Sequence, residues 1–362
     1  MTSARWFRLG VGLALLIVPM WVLLSRLDPI WHGHPAYPAT LLGLAAIGLV
    51  LVASTAWAWR RDSDEDPQRS GYPVGAAGVA RRDDDSTTDT APSVSPPRFG
   101  EPDEPGDASR ARRRTGGWRI AGRVVTALLV VIVLGVLVWL RPFPAGDVSL
   151  AALHSDAAVT VIVNPTTIEL VPTTLAEPSA GLVFSPGARV DARAYAALLR
   201  PVAEAGFLVV ILKEPFGLAI TQIGQSAGPL ADHPEIERWA VGGHSLGGVS
   251  AAWFAAGHLD AVDGLLLWAS FPNDDMSGDT SLQVASVSGS NDLLATPADI
   301  EQSRSNLPPD TTFTTIAGGV HAFFGDYGEQ PGDGVPTISR EQASEQISAA
   351  STAFLRGVSA GA

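Results

Sequence analysis

The chain has 362 residues, with 37 acidic against 24 basic side chains and a formal net charge of −13, enough for one large domain with accessory segments or for two modest domains. The charge is unevenly placed: from Arg141 onward 9 Lys and Arg face 24 Asp and Glu, a net of −15, which leaves the first 140 residues at +2. The acidic part repels polyanions, which argues against nucleic acid as a partner, and the absence of cysteine excludes disulfides, thiolate metal sites and a cysteine nucleophile.

Three apolar runs precede Arg141, at 9–25, 38–59 and 124–140, of 17, 22 and 17 uncharged residues. Each is bounded by arginine and matches the length a bilayer's hydrocarbon core requires of a helix. Trp6, Trp21, Trp57, Trp59, Trp118 and Trp139 lie mostly near the run ends, where indole favours the membrane interface. The first run has a second reading as a signal peptide, with Arg5 and Arg8 as its positive flank. Arginines accumulate before the first run, after the second and before the third. The positive-inside rule then places the N-terminus and the 60–119 segment in the cytoplasm, and the C-terminal part outside an envelope membrane, most simply the plasma membrane. The expected layout is a membrane region over 1–59, a linker over 60–119, a third span over 120–140 and a globular domain over 143–362. The linker is rich in Pro, Gly, Ser, Asp and Arg with no apolar periodicity, so it cannot bury enough surface to offset its ordering entropy and is expected to be disordered. The arginines at 110–114 serve as a topology signal or lie on anionic headgroups.

From residue 157 short β-rich runs alternate with helical stretches. Strands are expected at 158–163, 167–171, 181–185, 207–212, 239–242, 264–269, 282–288 and 311–316. Helices are expected at 191–205, 246–256, 297–306 and 339–356. Continuous apolar strands such as 208–212 belong in a sheet covered on both faces, and alternating βα units imply an α/β fold with a mostly parallel sheet flanked by helices.

Gly243-His244-Ser245-Leu246-Gly247 has the form G-x-S-x-G. The string alone is weak, but it follows a strand and opens a helix, the context of a nucleophile elbow. Serine needs a base to take its proton and an acid to orient that base, in the order Ser, Asp or Glu, His on such a fold. The histidines after Ser245 are His258 and His321. His258 lies about three turns along the helix that the elbow opens, whereas His321 follows the last expected strand in a glycine-rich loop, so His321 is the candidate base. Asp292 follows a strand, the position where such sheets collect catalytic groups, and is the candidate acid; Asp274 and Asp275 remain rivals, and Asp299 can serve equally well as the ordinary helix-preceding Asp. The N–H of Leu246 and an N–H from the turn Pro186-Gly187-Ala188 supply an oxyanion hole. Pro186 has no N–H, so Ala188 is the better donor.

The strings Phe184-Ser185-Pro186-Gly187-Ala188, Gly242-Gly243-His244-Ser245-Leu246-Gly247-Gly248, Gly289-Ser290-Asn291-Asp292 and the loop from Gly318 to Gly328 resemble the α/β-hydrolase "fold-5" group, which is similar to dienelactone hydrolases. The resemblance spans about 160–355. It implies an α/β-hydrolase fold, a Ser245–Asp292–His321 triad and a compact enzyme without a large cap. Pro186 departs from it, because many relatives carry His before the oxyanion glycine, and the three apolar runs lie outside it.

The reading that follows is a membrane-anchored esterase or related acyl hydrolase, acting on a small-molecule or lipid ester at the bilayer, with no cofactor, no metal and no obligatory protein partner. His32 and His34 are too few for a metal site. An acyltransferase using the same triad, and a non-catalytic binding module that retains the fold, are the alternatives. Residues 216–220 form either an apolar wall of the pocket or part of the core.

Overall fold

The computed structural model describes residues 2–64, 108–173, 178 and 180–361; the 65–107 part of the expected linker lies outside the described residues. The N-terminal elements are helices α1 (Thr2–Ser25), α2 (Leu27–His32), α3 (Ala36–Asp64) and α4 (Ala108–Trp139). Within α1, α3 and α4, stretches of 23, 27 and 22 residues are long and apolar enough to cross a membrane. Helices α3 and α4 extend beyond the apolar runs. Ala and Arg are good helix formers, and an established helix propagates more readily than it nucleates.

The described residues divide into two units, one of Met1–Leu16 with Ile47–Val133, the other of Ile17–Ala46 with Leu134–Ala362. In the first, α1 and α3 meet at Gly12 and Gly48. A Cβ on Gly48 would lie 2.6 Å from the Gly12 carbonyl oxygen, so only a small residue permits this approach. Trp6 packs against Trp59 with ring centroids 5.1 Å apart and planes tilted by 58°, and Arg5 pairs with Asp62.

In the second unit, α5 (Asp147–Ala151) leads into β1 (Val159–Val163), β2 (Thr167–Pro172), β3 (Gly181–Ser185), α6 (Ala196–Glu204) and β4 (Leu208–Leu212). There follow α7 (Ala227–Asp232), β5 (Trp239–His244), α8 (Leu246–Ala256), β6 (Gly264–Trp268), β7 (Gln283–Gly289), α9 (Pro297–Ser303), β8 (Thr312–Ile316) and α10 (Arg340–Ala360). The eight strands form one sheet in the order β1-β2-β4-β3-β5-β6-β7-β8. Only β2 runs against its neighbours; the β4-to-β8 pairings are all parallel. This is the α/β-hydrolase arrangement. Short α5 and α7 are additions to the expected elements. The expected 191–205 helix begins as a 3-10 turn, Ala192–Tyr195, because the Asp191 side chain accepts from Arg193 N–H and caps it there.

Every residue of β3, β4, β5 and β6 is buried, as a parallel sheet covered by helices on both faces requires. One face carries Phe184, Trp268, Tyr195 and Phe324 under α6 and α10, and the other carries Val183, Val241, Leu265 and Phe254 around α8. Phe184 sits 4.6 Å from Trp268 and 5.2 Å from Tyr195, centroid to centroid. Such rings bury the largest apolar areas available to a side chain, and they fix the strands whose C-terminal ends carry the site.

Candidate active site

Ser245 sits between β5 and α8 with φ 53° and ψ −123°, a left-handed region that costs a non-glycine residue about 1–3 kcal/mol. The surroundings enforce it. The Ser245 N–H donates to the Trp268 carbonyl at 3.0 Å and its own carbonyl accepts from Ser270 Oγ at 2.7 Å. The turn closes only because Gly247 has no side chain: a Cβ there would collide with the Ser185 and Pro186 carbonyl oxygens. Ser245 is therefore held at the strand end, partly exposed.

His321 stands in a 3-10 turn after β8 and is buried. Its Nδ1 lies 2.8 Å from Asp292 Oδ2. Asp292, fully buried after β7, also accepts at Oδ1 from the N–H groups of Leu294 and Ala295, at 2.7 and 2.8 Å. The buried carboxylate is thus satisfied on both oxygens. Among the described residues no hydrogen bond joins Ser245 Oγ to the imidazole; in unliganded enzymes such bonds are often long and tighten with substrate. The rivals are elsewhere: Asp274 accepts from the Trp253 indole N–H and Asp275 from Ser277 N–H. Asp299 forms the capping box of α9 with Thr296. His258 stacks on Phe254 at 4.1 Å and its Nδ1 faces the Phe254 carbonyl.

Leu246 is the first residue of α8, so its N–H has no intrahelical acceptor. In the facing turn the Gly187 N–H is already used, donating to Tyr195 Oη at 2.8 Å. Ala188 N–H makes no backbone hydrogen bond among the described residues. Both N–H groups remain available beside the elbow.

Sequence reading missed three supports of this geometry. Tyr195 Oη contacts His244 Nδ1 at 2.9 Å as well as Gly187 N–H. Since the phenol oxygen accepts from Gly187, the arrangement that uses its proton has Tyr195 donating to Nδ1 of a neutral His244. Burial, with the neighbouring His321 second, holds the His244 imidazole well below its ordinary pKa, and burial pushes the Tyr195 phenol up. His244 in turn lies 4.6 Å from His321, ring to ring. Asp333 accepts from the N–H groups of His321 and Ala322 at 3.1 and 2.8 Å. Arg340 donates to the carbonyls of Ala322 and Gly325 at 2.7 and 2.5 Å and to that of Gly328 at 3.0 Å. Tyr195, Asp333 and Arg340 belong to no motif; only the fold brings them to the turn and to the histidine loop.

Tyr195→Phe leaves the Gly187 N–H and His244 Nδ1 buried without a partner. It is expected to lower stability by about 2 kcal/mol and kcat by roughly ten- to a hundredfold, with KM nearly unchanged, because the turn that carries the candidate Ala188 N–H donor loses its tether. Melting and steady-state kinetics on the same preparation check both numbers.

Glu214 follows β4 beside this turn, bonded to Ser185 with Oε2 buried and unpartnered, and burial pushes its carboxyl up to about 7. The folded state therefore holds a proton that the unfolded chain releases above about 4.5, so stability falls as pH rises from about 4.5 to 7. Glu214→Gln is expected to remove that slope and to exceed the wild type by on the order of 3 kcal/mol above pH 7. Thermal unfolding as a function of pH reads the difference, which vanishes near the lower end of the window.

Residues 216–220 divide. Ala219 is buried while Ile220 is 44% exposed, and Phe216, at φ 57°, packs edge-on against Tyr37 at 5.9 Å.

Residues 181–345 match the alpha/beta hydrolase family. Similar solved structures include a thermostable esterase from Pseudomonas putida ECU1011, at 14% identity over 58% of this chain and 87% of that one with a TM-score of 0.42. A mutant of the esterase rPPE is similar at 14% identity over the same shares, with a TM-score of 0.41. No curated protein matches the sequence.

Proposed function

Because its residues 181–345 match the alpha/beta hydrolase family, we propose that this protein is a membrane-anchored serine hydrolase that cleaves carboxylic esters through an acyl-enzyme intermediate. The observation that carries the reading is the 2.8 Å contact between His321 Nδ1 and Asp292 Oδ2, beside a serine held at φ 53°. That contact leaves Nε2 free to take a proton.

Ser245 Oγ attacks the ester carbonyl as His321 Nε2 removes its proton. Asp292 keeps the imidazole in the correct tautomer and stabilises the imidazolium. The N–H groups of Leu246 and Ala188 bind the oxyanion that forms. His321 then gives its proton to the departing alkoxide, so an alcohol leaves and the acyl group remains on Ser245. Water, deprotonated by the same nitrogen, attacks the acyl-enzyme and releases the carboxylic acid, which returns Ser245 to its starting state. Helices α1, α3 and α4 act as the anchor. The arginine distribution supports a cytoplasmic N-terminus and an extracytoplasmic hydrolase domain.

The test is labelling with a fluorophosphonate probe. Wild-type protein is expected to be labelled at Ser245 and the His321→Ala variant to remain unlabelled. An unlabelled wild type, or equal labelling of both, overturns the reading.

A further inference from the structure

The turn that offers the Ala188 N–H continues directly into the ends of the apolar helices. Arg189, at φ 64°, donates its N–H to the Gly217 carbonyl at 2.6 Å, while its own carbonyl accepts from Phe143 N–H at 2.7 Å. Its guanidinium lies over Trp139, the last residue of α4, at 4.9 Å and over Phe143 at 5.0 Å. Arg141, two residues beyond α4, lies over Trp21 of α1 at 4.6 Å. On the other side of the turn, Pro186 lines a cavity of about 40 Å³ with Pro29, Ile30, Gly33 and His34 from the connection between α1 and α3. Asp28 of that connection pairs with Arg193 at 2.5 Å, and Arg193 with Asp191 at 2.6 Å. The oxyanion turn is therefore clamped where the apolar helices end, the level at which Trp and Arg sit at a bilayer interface.

Arg141 and Arg189 stand out within this junction. They interact electrostatically as like charges, yet no ion pair with a carboxylate is formed by either one among the described residues. Each keeps a buried Nε with no acceptor, and the one bond between them is a 3.4 Å contact from Arg189 Nη2 to the Arg141 carbonyl. Arg193, by contrast, pairs with two carboxylates. Two adjacent guanidinium groups with unmet donors suit a bidentate oxyanion such as phosphate, and at this level the available phosphates are those of lipids. Ile220, after β4, and Leu293 and Leu294, after β7, are 44, 63 and 40% exposed beyond the C-terminal ends of the parallel strands and suit acyl chains rather than water.

We propose that the substrate is an ester of an anionic phospholipid drawn from the adjoining leaflet, with Arg141 and Arg189 holding the headgroup phosphate while the ester carbonyl reaches Ala188 and Ser245. The inference rests on the hydrolase reading above and adds to it the substrate class and the residues that select it. Arg189 follows Ala188 directly, so headgroup and oxyanion contacts are one residue apart. The acyl transfer to Ser245 and its release by water are unchanged; the departing alcohol is the lysolipid.

The test places full-length protein in phosphatidylcholine nanodiscs doped with a trace of pyrene-labelled phosphatidylglycerol or pyrene-labelled diacylglycerol, with p-nitrophenyl acetate as a soluble ester. Labelled phosphatidylglycerol is expected to be cleaved at least about tenfold faster than labelled diacylglycerol, the size expected from charge-assisted hydrogen bonds. Arg141→Gln is expected to lower this ratio about fivefold or more. Because the ratio is read within one preparation, a general loss of activity or folding does not imitate the effect. A wild-type ratio near one, or a ratio that Arg141→Gln and Arg189→Gln both leave unaltered, overturns the proposal. Turnover of p-nitrophenyl acetate with both lipids untouched also overturns it and leaves the hydrolase reading intact. Absence of turnover of all three esters, with no fluorophosphonate labelling, removes both.

Discussion

Ser245→Ala is expected to lower turnover of any ester substrate by about ten thousand- to a millionfold, with the protein still folded. The size follows from the proposed mechanism: without Oγ no acyl-enzyme forms, and what remains is the stabilisation of direct water attack by the proposed Leu246 and Ala188 N–H donors. Stability is expected to rise or stay level, because Ser245 is held at φ 53° by the Trp268 and Ser270 contacts rather than by its hydroxyl. No described contact engages its Oγ. The measurement is turnover of p-nitrophenyl acetate beside a melting curve of the same sample. A variant within about tenfold of wild type would sink Ser245 as the nucleophile.

Asp292→Asn is expected to lower kcat by about ten thousandfold with little change in overall structure. The amide fills the same space but can present N–H to His321 Nδ1, which favours the tautomer with its proton on Nε2, where the serine proton must go. Asp275→Asn is the matched control, since Asp275 is exposed and bonded to Ser277 N–H; its turnover should remain within about twofold, as for surface substitutions generally. Equal losses in the two variants, or loss only in Asp275→Asn, would reassign the acid.

The alternation of apolar strands and helices was legible because each element is built on a local period, and the observed bounds lie close to the expected ones. Residues 208–212 are apolar at every position since the strand is covered on both faces. The ends of α3 and α4 were not legible in this way: hydropathy marks what a bilayer requires, while a helix stops where its backbone ceases to find partners. Short α7 was hidden because six residues containing Pro229 carry no clear period.

At the site, the G-x-S-x-G string between a strand and a helix pointed to Ser245 because a tight strand-to-helix turn demands glycine at defined spacings. The choice among carboxylates needed three dimensions. Asp274, Asp275 and Asp292 all follow strands, and what separates them is that the β7 loop turns inward under His321 while the β6 loop stays exposed. Tyr195, Asp333 and Arg340 lie 50, 88 and 95 residues from Ser245. No spacing rule connects groups so far apart in the chain.

By itself, the sequence determined the three long apolar runs, the βα rhythm, the sign of the charge and the residue types of the candidate triad, all of which depend on neighbours within a few turns or strands of the chain. Only the tertiary structure decided which carboxylate meets His321, that Gly187 N–H is taken by Tyr195, and that the oxyanion turn abuts Trp139, Arg141 and the 29–34 connection. Those outcomes depend on how a buried, mostly parallel sheet brings its strand ends together at one edge, which is a property of packing and is not written in any local pattern.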